Sequence, residues 1–435
     1  MTIRELSLRL PPNGAIGLAR ALGDAPGLAV LAAGPRGGLH AEDVRSSFVA
    51  CEPVESSDAV VPPEAPRERG WAGLPAAPRW IGVLPYEAFR GLERGSWCAP
   101  DERAPALVSR CAWFRYAAVA RVDHFTGVVA IEADDDRAAS ALAERLAAAR
   151  QGPPSGCDVV CHDPAAEDGP HGARVRAILE RIAAGEVYQV NLARRLDGRL
   201  VGSPLELFAR LARRTGAPYG FYLRTERFAV AGTSPELALE VRSGRARTAP
   251  IKGTRPRGPH AEADLALAAE LDASEKERAE LVMAIDLHRN DLGRVARPGS
   301  VRVLGEPRLV HGATVTSRVA EIACELDPTT TLESVVRAML PCGSVTGAPK
   351  VRAMELLRAL EPHRRGLYTG AMGYVGRDGS LVLAMAIRTA VVDLQASSRD
   401  GSPFSYFVGG GIVAGSDPSQ EIEETYWKSM QLLTN

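Results

Sequence analysis

The sequence predicts an α+β protein built on large, mostly antiparallel sheets. Three observations carry this. Strand-like segments come in groups and not in strict β-α-β alternation. Long helical segments stand between the groups. The chain has 435 residues, 46% of them hydrophobic, which is enough for a large buried core. In the first 150 residues, the short apolar runs Gly27–Ala33, Trp80–Leu84 and Tyr116–Arg121 read as strands, and the Ala/Arg/Glu stretch Asp136–Arg150 as a helix. Residues Gln151–Gly172 carry several Gly and Pro among acidic residues, which marks a linker or surface crossing. The pattern restarts with a helix from Ala173 to about Gly185. Strands follow at Tyr188–Arg194, Gly220–Leu223, Phe228–Gly232 and Leu237–Val241. One long helical stretch covers Ala261–Asn290. Further strands lie near Val301–Val303, Ser317–Glu325, Ala371–Val375, Leu381–Val392 and Tyr406–Val413, and a last helix covers Ser419–Leu433. The expected division is residues 1–150, a linker at 151–172, and residues 173–435.

Composition narrows the function. Lys+Arg 52 against Asp+Glu 53 gives a net charge of -1. With no Lys/Arg-rich block, this disfavours a nucleic-acid partner. No span approaches the roughly 20 apolar residues of a membrane helix, and the alternating Met1–Leu10 is no signal peptide. The seven cysteines are scattered. Cys157 and Cys161 precede His162, but no second ligand pair accompanies them, so zinc is not expected. A reduced cytoplasm is the simplest compartment. One number is lopsided. Only Lys252, Lys276, Lys350 and Lys428 are lysine, and the other 48 of the 52 basic residues are arginine. GC-rich coding is the plain cause. Its consequence is that a surviving lysine marks a place where arginine fails.

Two carboxylate pairs suggest a metal. Glu277 and Glu280 stand at i, i+3 in a helical segment, so both project from one face. Glu421 and Glu424 repeat that spacing, with Lys428 four residues beyond Glu424. Oxygen donors without His or Cys suit Mg2+, which can bridge protein carboxylates to a substrate carboxylate. Either pair alone also fits a solvated helix face, and Glu424/Lys428 an ordinary i, i+4 ion pair.

The neighbouring residues resemble a family. ERAELVMAIDLHRNDLGRV from Glu277 is similar to the signature of the chorismate-utilising enzymes, which include the large subunits of anthranilate and aminodeoxychorismate synthases and the isochorismate and salicylate synthases. Further blocks follow in the family's order: GEVYQVNLARR from Gly185, TSPEL from Thr233, PIKGTRPRG from Pro250, GSVTGAPKVRAMELL from Gly343, YTGAMGY from Tyr368, AIRTA from Ala386 and GGGIVAGSDPSQEIEET from Gly409. The resemblance covers roughly residues 170 to 432. WIGVLPYE from Trp80 looks like a strand of the family's N-terminal region. The resemblance implies two sheets packed face to face with helices outside. It implies an N-terminal region woven into the same body and a chorismate-binding catalytic region in residues 173–435. It implies that Glu277, Glu280, Glu421 and Glu424 surround Mg2+, which holds the ring carboxylate of chorismate together with Lys428. Tyr368 and Arg388 match residues that bind the enolpyruvyl carboxylate. Backbone donors near Gly253, Thr254, Gly410 and Gly411 complete the cradle.

Two positions separate the members. Isochorismate and salicylate synthases carry, in the segment that VYQVNL resembles, a lysine that activates water. Here the residue is Gln189, which is not a general base, so the resemblance points to amination. Anthranilate synthases typically have alanine where this chain has Lys252. Aminodeoxychorismate synthases have a lysine that attacks C2 of chorismate as the C4 hydroxyl leaves; ammonia then attacks C4 and expels the lysine. Such a lysine must be neutral, and with an ordinary pKa near 10.4 only about one in 2,500 is neutral at pH 7. Cations such as Arg255 and Arg257, with partial burial, raise that fraction. Arginine itself does not deprotonate. Glu236 matches the family's general acid/base and His311 a histidine near the ring hydroxyl. The segment after His311 runs one residue short of the family pattern, and Gly415 stands where many relatives have Asp. Lys350 falls in a family block without an evident task.

No glutaminase motif of the form G-x-C-x-G occurs. The resemblance therefore implies a separate glutamine amidotransferase subunit that supplies ammonia. The expected activity is that of an aminodeoxychorismate synthase large subunit, leading towards 4-aminobenzoate and folate. The alternatives are anthranilate synthase component I and a non-catalytic chorismate-binding subunit.

Overall fold

Alternation along the strands decides which residues face which layer. In Phe228–Ser234, Phe228 and Val230 point to one side, and Ala229 and Ala231 to the other. In Tyr219–Arg224, Phe221 and Leu223 join the first set and Tyr222 the second. Period-two alternation of this kind puts one face of a sheet against another layer. The inner set packs on Ile81, Val83, Met372 and Ala384 of a second sheet. The outer face of the first sheet is covered by the helices Gly14–Leu22, Asp136–Ala148 and Pro204–Thr215. The outer face of the second is covered by Glu275–Gly293 and Leu332–Met339. The fold is therefore α+β: two sheets face to face with helices outside, as the sequence predicts.

The computed structural model describes residues 2–6, 14–34, 40, 44–63, 74–89, 101–148, 156–313 and 315–433. Among these, twelve strands form the first sheet, nine the second and three a small third. The longest pairing runs from Val190↔Ile412 to Leu200↔Ser402, between the strands Gln189–Gly202 and Ser402–Ile412, antiparallel. The N-terminal strands form part of both large sheets. Ala29–Ala32 pairs with Tyr219–Arg224, and Pro78–Leu84 with Ala371–Gly376. Within the Gly/Pro-rich segment, Cys157–Cys161 is a strand on Gln189–Gly202, followed by a short 3-10 helix, Pro164–Glu167. The next helix begins at Asp168 and not at Ala173; residues 151–155 lie outside the described residues. No helix among the described residues is long and apolar enough to cross a membrane.

Three expected elements are divided. Ala261–Asn290 is two helices, Ala261–Ala273 and Glu275–Gly293, because Ser274 leaves the helical region (φ -66°, ψ 111°) and its hydroxyl accepts from Glu277 N. That is an N-cap. Ser317–Glu325 contributes to two sheets, through Val315–Val319 and Ile322–Glu325. Leu381–Val392 is Leu381–Met385 in the second sheet and Thr389–Asp393 in the first. The crossing between them contains Arg388.

Candidate active site

A cavity of about 170 Å³ opens where the Gln189–Gly202 and Ser402–Ile412 strands end against the Glu275–Gly293 and Pro418–Leu433 helices. Glu236, Lys252, Gly253, Thr254, Glu277, Glu280, Tyr368, Arg388, Gly410, Gly411, Glu421, Glu424 and Lys428 all line it. These residues span nearly two hundred positions of sequence and come from the first sheet, the small sheet, two helices and the loops beside the strands of the second sheet.

One wall suits an anion. Tyr368 stacks on Phe407 with centroids 5.1 Å apart, and burial pushes its phenol up to about 12. It therefore meets a carboxylate as a neutral donor. Arg388 adopts φ 54° and the preceding turn holds Thr369 at φ 58°. Non-glycine residues there store strain that the surroundings must hold in place. For Thr369 the hold is visible: its N–H donates to Ala386 O at 2.9 Å, and its hydroxyl accepts from the buried Arg365 at 3.1 Å. Arg388 donates to Lys428 O at 2.9 Å, which ties the sheet crossing to the last helix.

The glutamates line the same cavity. Burial raises Glu280 to about 7, against the pull of Lys252, and raises Glu421 as well. Burial also acts on Glu424, but Lys428 outweighs it and holds that carboxyl below its ordinary range. Lys428 pairs with Glu424 and donates to Gly409 O at 2.7 Å. Lys276 stands 3.8 Å from Glu421, and Arg255 lies 3.3 Å from Glu277. Among the described residues, no three acidic, His or Cys side chains already converge as a metal site. The donor set nevertheless suits a hard cation. It is all carboxylate oxygen, and Glu421 Oε2 is buried without a hydrogen-bond partner. A Cβ at Gly410 would stand 3.0 Å from that atom, so glycine keeps the space beside it open.

Glu236 and Lys252 occupy the floor. Glu236 is 4% exposed. Burial raises its carboxyl to about 7, while Ser344 and Lys252 pull the other way. Ser344 Oγ donates to Glu236 Oε1 at 2.9 Å, and Lys252 Nζ donates to Ser344 O at 3.0 Å. Arg255 and Arg257 do not stand as free cations beside Lys252. Arg255 pairs with Glu270 and Glu277. Arg257 pairs with Asp264 and donates to Gly312 O at 2.7 Å.

Two predicted residues lie off the cavity wall. Gln189 is buried behind Gly411, where a Cβ would meet Gln189 Nε2 at 2.3 Å. His311 is exposed on Arg308–His311, the outer strand of the small sheet, with Nδ1 3.0 Å from Thr316 Oγ1. The Val315–Val319 strand separates it from the strand of Lys252, so Glu236 and Lys252 are the predicted catalytic pair that shares the cavity. Lys350 pairs with the buried Asp291 at 2.6 Å. Gly415 faces open space; the turn before Glu421 is held by Ser416 Oγ, which accepts from Val413 N at 3.1 Å, and by Asp417, which caps the helix through Ser419 N at 2.9 Å. Sequence reasoning missed Ser344, Asn191 and Trp427, which also line the cavity. Ser344 and Asn191 lie in blocks that were visible, and Trp427 just beyond one, but a neutral side chain carries no chemical signal of its own.

Comparison with known proteins agrees with this arrangement. The family described as chorismate binding enzyme matches residues 25–434. Anthranilate synthase component 1 of Streptomyces coelicolor is 44% identical over 269 residues, which is 60% of this chain and 50% of that protein. Aminodeoxychorismate synthase component 1 of Bacillus subtilis is 40% identical over 269 residues, 62% of this chain and 56% of that protein. The chain thus spans about half the length of these curated relatives. The crystal structure of anthranilate synthase component I from Streptococcus pneumoniae superposes with a TM-score of 0.72 at 26% identity, covering 89% of this chain and 91% of that one.

Proposed function

The chain belongs to the chorismate binding enzymes, and on that premise we propose that it is the large subunit of an aminodeoxychorismate synthase. The observation that carries this reading is Lys252. A lysine stands on the cavity floor, half-buried, joined through Ser344 to a buried Glu236. Gln189, which cannot serve as a base, lies off the wall where a water-activating group would be needed.

In this reading Tyr368 and Arg388 hold the enolpyruvyl carboxylate of chorismate, with backbone donors near Gly253, Thr254, Gly410 and Gly411. A guanidinium and a neutral phenol suit a carboxylate. Lys428 meets the ring carboxylate. Glu277, Glu280, Glu421 and Glu424 would hold Mg2+, which when bound offsets their charge and draws the ring carboxylate to the site. The Lys252 amine, once it has lost a proton, forms a C2–N bond while the ring double bonds shift and the C4–O bond breaks. Glu236, protonated to about pH 7, donates the proton with which the hydroxyl leaves as water. Ammonia then forms the C4–N bond, the double bonds shift back, and the C2–N bond breaks to return the lysine. The sum replaces the C4 hydroxyl by an amino group, releases water and keeps the enolpyruvyl ether. A separate glutamine amidotransferase subunit supplies the ammonia.

The names of the relatives favour a second reading. Anthranilate synthase component 1 of S. coelicolor is 44% identical, against 40% for the B. subtilis aminodeoxychorismate synthase component. Incubation with chorismate, Mg2+ and ammonium, followed by mass spectrometry, separates the two. An aminated product that retains the enolpyruvyl group is expected. Fluorescent anthranilate with released pyruvate would replace the first reading by the second.

A further inference from the structure

Ser344 lines the cavity but takes no part in the bond changes above. It is 3% exposed. Its hydroxyl touches Glu236 and its carbonyl touches Lys252, at 2.9 and 3.0 Å. One residue therefore contacts both groups assigned to the chemistry, and through different atoms. The short helix that carries it, Gly343–Thr346, is fixed from three directions. A Cβ at Gly343 would come within 2.7 Å of Leu287 Cβ, so the helix packs closely on Glu275–Gly293. Lys350, a few residues on, pairs with Asp291 of that same helix at 2.6 Å. Arg365, buried, donates to Val345 O at 3.0 Å. A side chain held this firmly can fix the position of others.

We propose that Ser344 is a positioning residue, which holds the carboxyl of Glu236 and the amine of Lys252 side by side on the cavity floor. The inference rests on the reading of Glu236 as proton donor and Lys252 as nucleophile. It also gives Lys350 a task, since the Asp291–Lys350 pair anchors the turn that carries Ser344.

A hydroxyl that donates to a carboxylate stabilises the ionised form. Burial raises Glu236 to about 7, and the Ser344 hydroxyl limits that rise. The other groups facing Glu236 are the Lys252 amine, the backbone N–H of Ile251 and the buried Cys342 thiol. The carbonyl that receives Lys252 is main chain and survives any substitution, so the hydroxyl arm can be tested alone.

The test is a titration of Glu236 by carbon-13 NMR, without substrate, in protein labelled at the glutamate carboxyl carbon. The resonance is identified by its loss in Glu236→Gln. Wild type, Ser344→Ala, Ser344→Gly and Ser344→Thr are compared at matched melting temperature. The midpoint is expected to move upward in the Ala and Gly variants and to return in Thr, which keeps the hydroxyl. In the amination assay, kcat of Ser344→Ala is expected to fall about 10- to 100-fold, with little change in KM for chorismate. The pH limb that reports Glu236 should shift in the same direction as the titration. An unmoved titration in a folded Ala or Gly variant would overturn the proposal. Formation of anthranilate by the wild type would instead remove the functional reading, and the titration would still decide whether Ser344 sets the state of Glu236.

Discussion

Lys252 stands where a chain that writes arginine 48 times and lysine four times has kept a lysine. The physical reason is deprotonation: an amine can lose its proton and attack, whereas a guanidinium cannot. Lys252→Arg is therefore expected to abolish both amination and any chorismate-derived adduct on the peptide containing residue 252. The melting temperature should stay near that of the wild type, because the position is only half-buried. Full amination by the Arg variant would contradict the covalent role. Glu236 makes a second claim at this scale. Its folded-state pKa of about 7 lies above its unfolded range, so the folded protein holds this proton more tightly. That contribution to stability is present at low pH and is lost as pH rises through 7. Glu236→Gln should melt above the wild type at pH 8, by the equivalent of about 2 to 3 kcal/mol, and show no such gain at pH 5. Calorimetric melts at the two pH values check this.

The elements explain why single residues had to be read in context. Ser274 divides one predicted helix into two, and the second carries Glu277 and Glu280 into the cavity. Ser274→Ala removes the cap and should cost about 1 kcal/mol, read as a lowered midpoint in urea. The last helix carries Glu421, Glu424 and Lys428 together, as the i, i+3 and i+4 spacing predicts. Glu421→Gln is expected to weaken Mg2+ binding at least about tenfold by titration calorimetry. Unchanged Mg2+ affinity would remove Glu421 from the proposed ligand set. Element boundaries were legible where a clean apolar run marked them, whereas the Ser274 cap lay unread inside a predicted helix. They were hidden at Leu381–Val392, where one run, apolar but for Arg388 and Thr389, serves two sheets and the break falls at Arg388, held at φ 54°. Local hydrophobicity does not reveal a change of sheet.

At the scale of the molecule, the N-terminal region contributes strands to both large sheets that flank the candidate site. Ala29–Ala32 and Pro78–Leu84 are interior strands. Phe48, Ile81, Val83 and Val119 share the inter-sheet core with Phe221, Val230 and Met372. A chain lacking residues 1–150 would bare the edges of both sheets and half of that core. It is expected to lose its near-ultraviolet circular dichroism and to be cleaved rapidly by protease. A truncated chain that melts cooperatively near the full-length temperature would contradict this integration.

The sequence by itself determined the fold class, the family blocks and the residue types of the site, because strand grouping, helical spacing and an unusual lysine are all local patterns. Its resemblance to the family placed thirteen of the predicted site residues in sets that the cavity brings together. Tertiary structure alone decided what those residues touch. Arg255 and Arg257 read as cations beside Lys252, yet carboxylates from other elements neutralise them. His311 is close to the motif strand in sequence pattern, yet a strand lies between them. Ser344 is 92 residues from Lys252 and 108 from Glu236, and joins both. Hydrogen bonds and burial depend on distances in space, and no local pattern encodes the distance between segments so far apart in the chain.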